Sequence, residues 1–291
     1  MQYPLVSVIC ISFNHANYIE DALNSIWNLN YPHIQLIVAD DASTDDSQTR
    51  IKELIKDKGC ELVLNDRNIG HCKTFNKALS LAKGEYVIDL AADDILLPQS
   101  VGVAVERLRL KGESYGVFFG DAKLINDKGE IVGTHFTKSF FKNKVVPEGD
   151  IYKTLLSKYF ISPPTMVYRK TLLDKLKGYN EALSYEDFDF WVRSSRITNY
   201  CYSPELIVQK RMLSTSVSTS QYVKNSRMLL STLAVCKTAL RLNRNKSEDW
   251  ALLKRIAYEG KMSLSSRNYL LGAQFFILGI KAFFNIFVYA K

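Results

Sequence analysis

The chain has 291 residues, 47% of them hydrophobic and 23% charged, a balance that supports a sizeable core and excludes a disordered or low-complexity chain. Its net charge of +8 is unevenly spread, because residues 205–291 hold 14 Lys and Arg against 4 Asp and Glu; an anionic partner is therefore indicated for that segment alone. Five cysteines without a CxxC pair exclude a disulfide framework and a structural zinc site, and fit a reducing cytoplasm.

In chain order, residues 5–12 (LVSVICIS) read as a buried strand. No basic segment precedes them, so no signal peptide is expected, and the run is too short to span a bilayer. Residues 19–28 place Ile19, Leu23 and Ile26 at helical spacing. A second strand at 34–39 runs into the polar cluster DDASTDDS, and a helix follows from about Ser47 with Ile51, Leu54 and Ile55 inward. Residues 61–64 form a third strand, 65–70 a loop, and the next helix carries Phe75, Leu79 and Leu81. A fourth strand at 85–90 ends at AADD. Strand and helix in alternation give a doubly wound parallel sheet, whose ligands bind beyond the carboxyl ends of the strands. A helix at 99–111 and a strand at 115–119 come next. The region to about 220 mixes short strands, loops and one helix, and from about Lys224 the chain is helical, broken near 243–247.

Three polar clusters follow strand ends and carry the candidate chemistry. Asp40 and Asp41 can accept hydrogen bonds from a nucleobase or a ribose, while Ser43 and Asp45 equally suit helix caps. Asp93 and Asp94 suit a hard divalent cation, Mg²⁺ or Mn²⁺, or an acidic cap for the helix after Pro98. In GYNEALSYEDFDFWVR, Phe188, Trp191 and Val192 mark one helix face. That spacing puts Asp187 in the first turn, where the helix dipole favours its ionised form. It is there either a general base or a cap, and Glu186 is a second candidate for the cap. GxGxxG, the P-loop and GxSxG are absent, and the four histidines lack ligand spacing.

The segments SVICISFNHANYIEDALNSIWNLNYPHIQLIVADDASTDDS, NIGHCKTFNKALSLAKGEYVIDLAADD and GYNEALSYEDFDFWVR together resemble the inverting glycosyltransferases of family two, over about residues 4–218. The resemblance implies an α/β, GT-A-type single domain with a mostly parallel central sheet flanked by helices, plus a C-terminal helical extension. Residues 1–98 would be the nucleotide-sugar half, 99–220 the acceptor half and 221–291 the extension. Asp40 is implied to contact the base of a UDP-type donor, with Asp41 beside it, and Ile11, Phe13 and Asn14 to line the nucleotide pocket. Lys73 and Asn76 are also implied on the donor side. Asp93 is implied as the ligand of a divalent cation, with Asp94 as second ligand, and Asp187 as the base toward the acceptor. Glu186, Trp191 and Arg211 are implied as acceptor-side or supporting residues. The chain departs from the family pattern at three places: Ala91 replaces the first acid of the DXD motif, Phe75 the Arg before Asn76, and Leu213 the histidine after Arg211.

The last stretch, 269–291, is densely apolar but carries Lys281. A helix lying in a membrane interface and a helix packing within the protein or on a second subunit both fit it. The expected setting is the inner face of the cytoplasmic membrane, with a glycan or lipid-linked acceptor and possible pairing of two chains through these helices. Nucleic acid is not expected, because the tail's aromatics sit in an apolar run. A catalytically silent nucleotide-sugar-binding or scaffold subunit is the alternative that the three departures motivate.

Overall fold

The computed structural model describes residues 3–213 and 220–288, the last by its backbone alone. In chain order the elements are β1 (Val6–Ser12), α1 (Ile19–Trp27), β2 (Ile34–Asp40), α2 (Ser47–Leu54), β3 (Glu61–Leu64), α3 (His71–Leu79), β4 (Tyr86–Ala91), β5 (Ile95–Leu96) and α4 (Ser100–Lys111). Then come β6 (Tyr115–Ile125), β7 (Ile131–His135), α5 (Tyr152–Ser157), β8 (Val167–Arg169), α6 (Lys170–Leu176), α7 (Asp187–Ser194) and β9 (Asn199–Arg211). The chain closes with α8 (Arg227–Leu242), α9 (Lys246–Ser265) and α10 (Tyr269–Val288). The end of the expected 269–291 helix, 289–291, lies outside the described residues.

Two compact units are present. The first comprises residues 1–149, 161–179 and 198–213, and the second 150–160, 180–197 and 214–291. The second unit thus joins the C-terminal helices to two segments from the middle of the chain.

The first unit contains the sheet, in the order β3-β2-β1-β4-β8-β6-β9-β5, with β7 on β6. Strands β3, β2, β1 and β4 are parallel, as alternation of strand and helix requires. Beyond them the sheet is mixed: β8 runs antiparallel between β4 and β6, and β9 runs parallel to β6. All seven residues of β1 are buried, because helices cover both faces of a central parallel strand. One face packs Val8, Cys10, Val38, Ile88 and Leu90 against Ile19, Leu23, Val101 and Leu108.

Two expectations are corrected. Helix α3 ends at Leu79, and Leu81 lies beyond it, exposed, instead of on its inner face. The strand expected at 115–119 continues to Ile125, because β7 and β9 both pair with its second half. Ile51 is buried, and Leu54 and Ile55 pack half-buried against the core, inward as expected.

The second unit is helical. Ser226 caps α8 by accepting from the Leu229 amide, and Asn245 caps α9 by accepting from the Glu248 amide. Helix α10 packs on α9 and α8 through Leu271, Phe275, Leu278, Ala282 and Ile286.

Candidate active site

In the first unit the register aligns Ser12 with Asp40 and Ile11 with Ala91, so the carboxyl ends of β1, β2 and β4 form one edge. The loops leaving that edge are tied together. The Asn14 amide donates to Ser43 Oγ at 2.8 Å, and Asn14 Oδ1 accepts from the Thr44 amide at 2.8 Å. His15 N donates to Ser47 Oγ, and Ala16 N to Asp45 Oδ2. Burial raises the Asp45 pKa, but hydrogen bonds from Ser47 and Ala16 outweigh it and hold the carboxyl below its usual range. Asn14 and Ala42 both have φ of 58°. Asn accepts this left-handed backbone readily, whereas Ala42 carries a strain of roughly 1–2 kcal/mol, the kind found where a loop shape serves a ligand.

Asp40 is fully buried. Its Oδ1 accepts from the Ser43 amide and Gln48 Nε2, and its Oδ2 from Ser43 Oγ at 2.6 Å. Lone pairs remain for a further donor. Asp41 serves the next loop: its carboxylate accepts from Asn65 Nδ2, Ile69 N and Gly70 N, which fixes residues 65–70 ahead of α3. Ile11 is buried beneath the edge, and Phe13 is exposed on it. Lys73 stands exposed in the first turn of α3. Asn76 is engaged: its Nδ2 donates to Tyr179 O at 2.9 Å and its Oδ1 accepts from Tyr179 N at 2.8 Å. Phe75, in place of the family's Arg, is buried and stacks on Tyr179 with ring centroids 4.2 Å apart.

Asp93 is half-buried, and among the described residues its carboxylate makes no hydrogen bond or ion pair. Asp94 is buried and accepts from the Arg211 amide at 2.7 Å. Burial, then the adjacent Asp93 charge, push the Asp94 carboxyl up to about 8. An unspent carboxylate beside a buried one that resists ionisation is a donor set that fits a hard cation. Neither acid caps α4, which starts at Ser100 without a side-chain cap. Arg211, almost wholly buried, holds this loop. Its Nε donates to Asp93 O, its Nη1 to Asn126 O and Asp127 O, and its Nη2 to Asp21 Oδ2, while its plane lies 4.5 Å from the Tyr18 ring centre.

The Asp94 environment predicts a pH-dependent stability. The folded chain keeps a proton on Asp94 that the unfolded chain releases near 4. The stabilisation is therefore full below that pH and is lost as pH rises through about 8. Melting curves with EDTA present should show this decline in the native chain and a flatter profile in Asp94→Asn; equal slopes would refute it.

One group at this edge was not expected from sequence. His71 Nε2 lies 2.9 Å from Asp89 Oδ2, which also accepts from Tyr179 Oη at 3.0 Å; Tyr179 Oη in turn meets Tyr168 Oη at 3.2 Å. Asp89 Oδ1 is buried and makes no hydrogen bond among the described residues, a deficit that a ligand commonly fills. The available signal was the pattern YVIDLA, in which Asp89 shares a strand face with Ala91 rather than with Ile88 and Leu90.

In the second unit, Asp187 is the first residue of α7 and Glu186 its N-cap position. Both are partly buried. Phe188, Trp191 and Val192 are buried, and Trp191 meets Tyr159 edge-on at 5.5 Å. Trp191 therefore anchors α7 in its own unit. Asp189 pairs with Arg193 at 2.6 Å across one turn.

A family model described as Glycosyl transferase family 2 matches residues 7–177. An uncharacterized glycosyltransferase of Haemophilus influenzae is 30% identical over 214 residues, 72% of this chain and 66% of that protein. A GalNAc(5)-diNAcBac-PP-undecaprenol beta-1,3-glucosyltransferase of Campylobacter jejuni is 29% identical over 191 residues, 65% of this chain and 59% of that protein. The chain thus spans just under two thirds of the length of these relatives. The crystal structure of S. aureus TarS 1-349 in complex with UDP-GlcNAc superposes with a TM-score of 0.67 at 22% identity, over 91% of this chain and 74% of that one. That likeness shows the fold.

Proposed function

The chain belongs to glycosyl transferase family 2, and from that membership we propose that it moves a sugar from a nucleoside-diphosphate donor, UDP-linked, to a hydroxyl of a glycan or lipid-linked acceptor in surface polysaccharide assembly. The observation that supports the reading is the shared carboxyl edge of β1, β2 and β4, which ends at Asp40 on β2 and from which the chain runs on to Asn14 after β1 and to Asp93 after β4. The UDP-GlcNAc held by the TarS neighbour and the undecaprenol-linked substrate in the C. jejuni relative's name support the donor and acceptor classes.

In this mechanism Asp40, preset by Ser43 and Gln48, accepts from the base, with Ile11, Phe13 and Asn14 around the nucleoside. Asp41 acts one step back by fixing the 65–70 loop, and Lys73 faces the diphosphate. Asp187 takes the proton of the acceptor hydroxyl. The oxygen then attacks the anomeric carbon as its bond to the diphosphate breaks, with inversion at that carbon. A divalent cation, Mn²⁺ or Mg²⁺, held by Asp93 and Asp94, would neutralise charge on the leaving nucleoside diphosphate. Arg211 keeps that loop in place from behind. The side chains of Ala91 and Leu213 have no oxygen or imidazole to add to Asp93 and Asp94.

Thermal-shift and turnover measurements with UDP-, dTDP- and GDP-sugars, with and without Mn²⁺, test the reading. A ligand at a hundred times its Kd adds about 2.7 kcal/mol, so the true donor should raise the melting temperature clearly above the others. Donor binding without transfer to any acceptor would point instead to the silent subunit, and neither binding nor transfer would refute both.

A further inference from the structure

Helix α10 carries two apolar faces. One is buried in its unit, as described above. The other presents Leu270, Phe276, Ile277, Ile280, Phe284 and Phe287, with Leu270 74% and Phe276 71% exposed. A helix with such a face in water needs a cover. Beside it, α9 and α10 leave a groove of about 840 Å³, which Gly260, Gly272 and Gly279 open and Leu264, Phe283 and Phe284 flank.

Charge identifies the cover. Between residues 220 and 288 the acids are Glu248, Asp249 and Glu259, and all three are buried. Glu248 pairs with Arg196, Asp249 accepts from Asn243, and Glu259 meets Arg255 and Tyr222. The exposed charges on this stretch are consequently all positive. Lys254 and Lys261, seven residues apart, lie on one face of α9 with Ala257 and Leu264, and Lys261 lines the groove. A second copy docked face to face would set Lys against Lys with no acid to meet it. An anionic lipid surface offers both the apolar layer and the opposite charge.

We propose that α9 and α10 form a monotopic docking surface for an anionic bilayer, with the exposed α10 face among the lipid chains and the groove taking one hydrocarbon chain. By length and composition Tyr269–Phe287 is able to cross a membrane, with 33% of it buried. Spanning would strip α10 from α9, which bears Lys254 and Lys261, and would bury the exposed Lys281 of α10 itself, so the helix lies along the surface instead. The inference deepens the acceptor reading above: a lipid-linked acceptor is met on the leaflet to which the enzyme is bound.

Co-sedimentation of the full chain with phosphatidylcholine vesicles, with and without phosphatidylglycerol, tests it. Binding should require phosphatidylglycerol and weaken with salt. Lys254→Glu with Lys261→Glu should cut it about tenfold or more, since each basic residue near such a surface contributes about 1 kcal/mol. Phe276→Ser with Phe284→Ser, both exposed and so harmless to folding, should do the same. Gly279→Leu should also lower it, because that position lines the groove. Absence of binding, or equal binding to neutral vesicles, would overturn the proposal. So would a light-scattering dimer that the Phe276→Ser, Phe284→Ser chain dissolves. Asp187→Asn should bind vesicles like the native chain, so loss of transfer and loss of docking are separable.

Discussion

Asp187→Asn should lower kcat for sugar transfer by about 10²–10⁴-fold, the range for removing a general base, while leaving KM for the donor and the melting temperature close to native. The side chain keeps its shape and its place at the first position of α7. The helix is held by Phe188, Trp191 and Val192, and by the Asp189–Arg193 pair, all of which the variant keeps. What is lost is an acceptor for the proton, and with it the negative charge that the helix N-terminus favours. Asp189→Asn is the control. It breaks the pair with Arg193 and should lower stability with little change in kcat. Steady-state kinetics on both variants decide the matter, and full turnover by Asp187→Asn would remove Asp187 from the mechanism.

Arg211→Ala should be the most destabilising single change in the first unit, by about 3–5 kcal/mol, because three backbone carbonyls lose a charged donor at once. Those carbonyls belong to Asp93, Asn126 and Asp127, so the loss falls on the candidate cation loop and on the turn between β6 and β7. Asp21 contributes less, since its side chain is 58% exposed and water replaces the ion pair. A fall of roughly 6–20 °C in melting temperature is expected. Arg211→Lys should recover only part of it, because an ammonium lacks the fork that reaches all three sites. Calorimetry on the two variants tests this; an Arg211→Ala chain melting within about 2 °C of native would refute it.

The first half of the sheet was legible in the sequence because each element is local. Strands of Val and Ile, helices with Ile or Leu every third or fourth residue, and polar breaks between them need no distant partner to be read. The strand ends then exposed Asp40 and Asp93 as candidates, and a capped apolar stripe exposed Asp187. The second half was less legible. Strand β9 holds Pro204, which reads as a break; the structure accommodates it where the register with β6 shifts between Phe119 and Asp121. Strand β8 is three residues long and exists only because β4 and β6 flank it.

Within the site, what stayed hidden was long-range pairing. His71 meets Asp89 across 18 positions, Tyr179 meets Asp89 across 90, and Arg211 meets Asp21 across 190. The same holds for Asn76, expected on the donor side and found gripping the backbone of Tyr179. In the tail, periodicity gives the helices but not the fact that every acid turns inward and the exposed lysines and arginines stay outside.

Asn76 and Gly178 are bound to one another's fate. Gly178 has φ of 70°, and a Cβ there would stand 2.1 Å from Asn76 Oδ1. The side-chain amide fills the space that any larger residue at 178 would claim, and it satisfies both backbone groups of the residue that follows. Drift at either position is therefore conditional on the other: a lineage that loses Asn76 gains room at 178 but leaves Tyr179 without its partner, and one that loses Gly178 evicts the amide. Among relatives of this chain the two positions should be inherited as a unit.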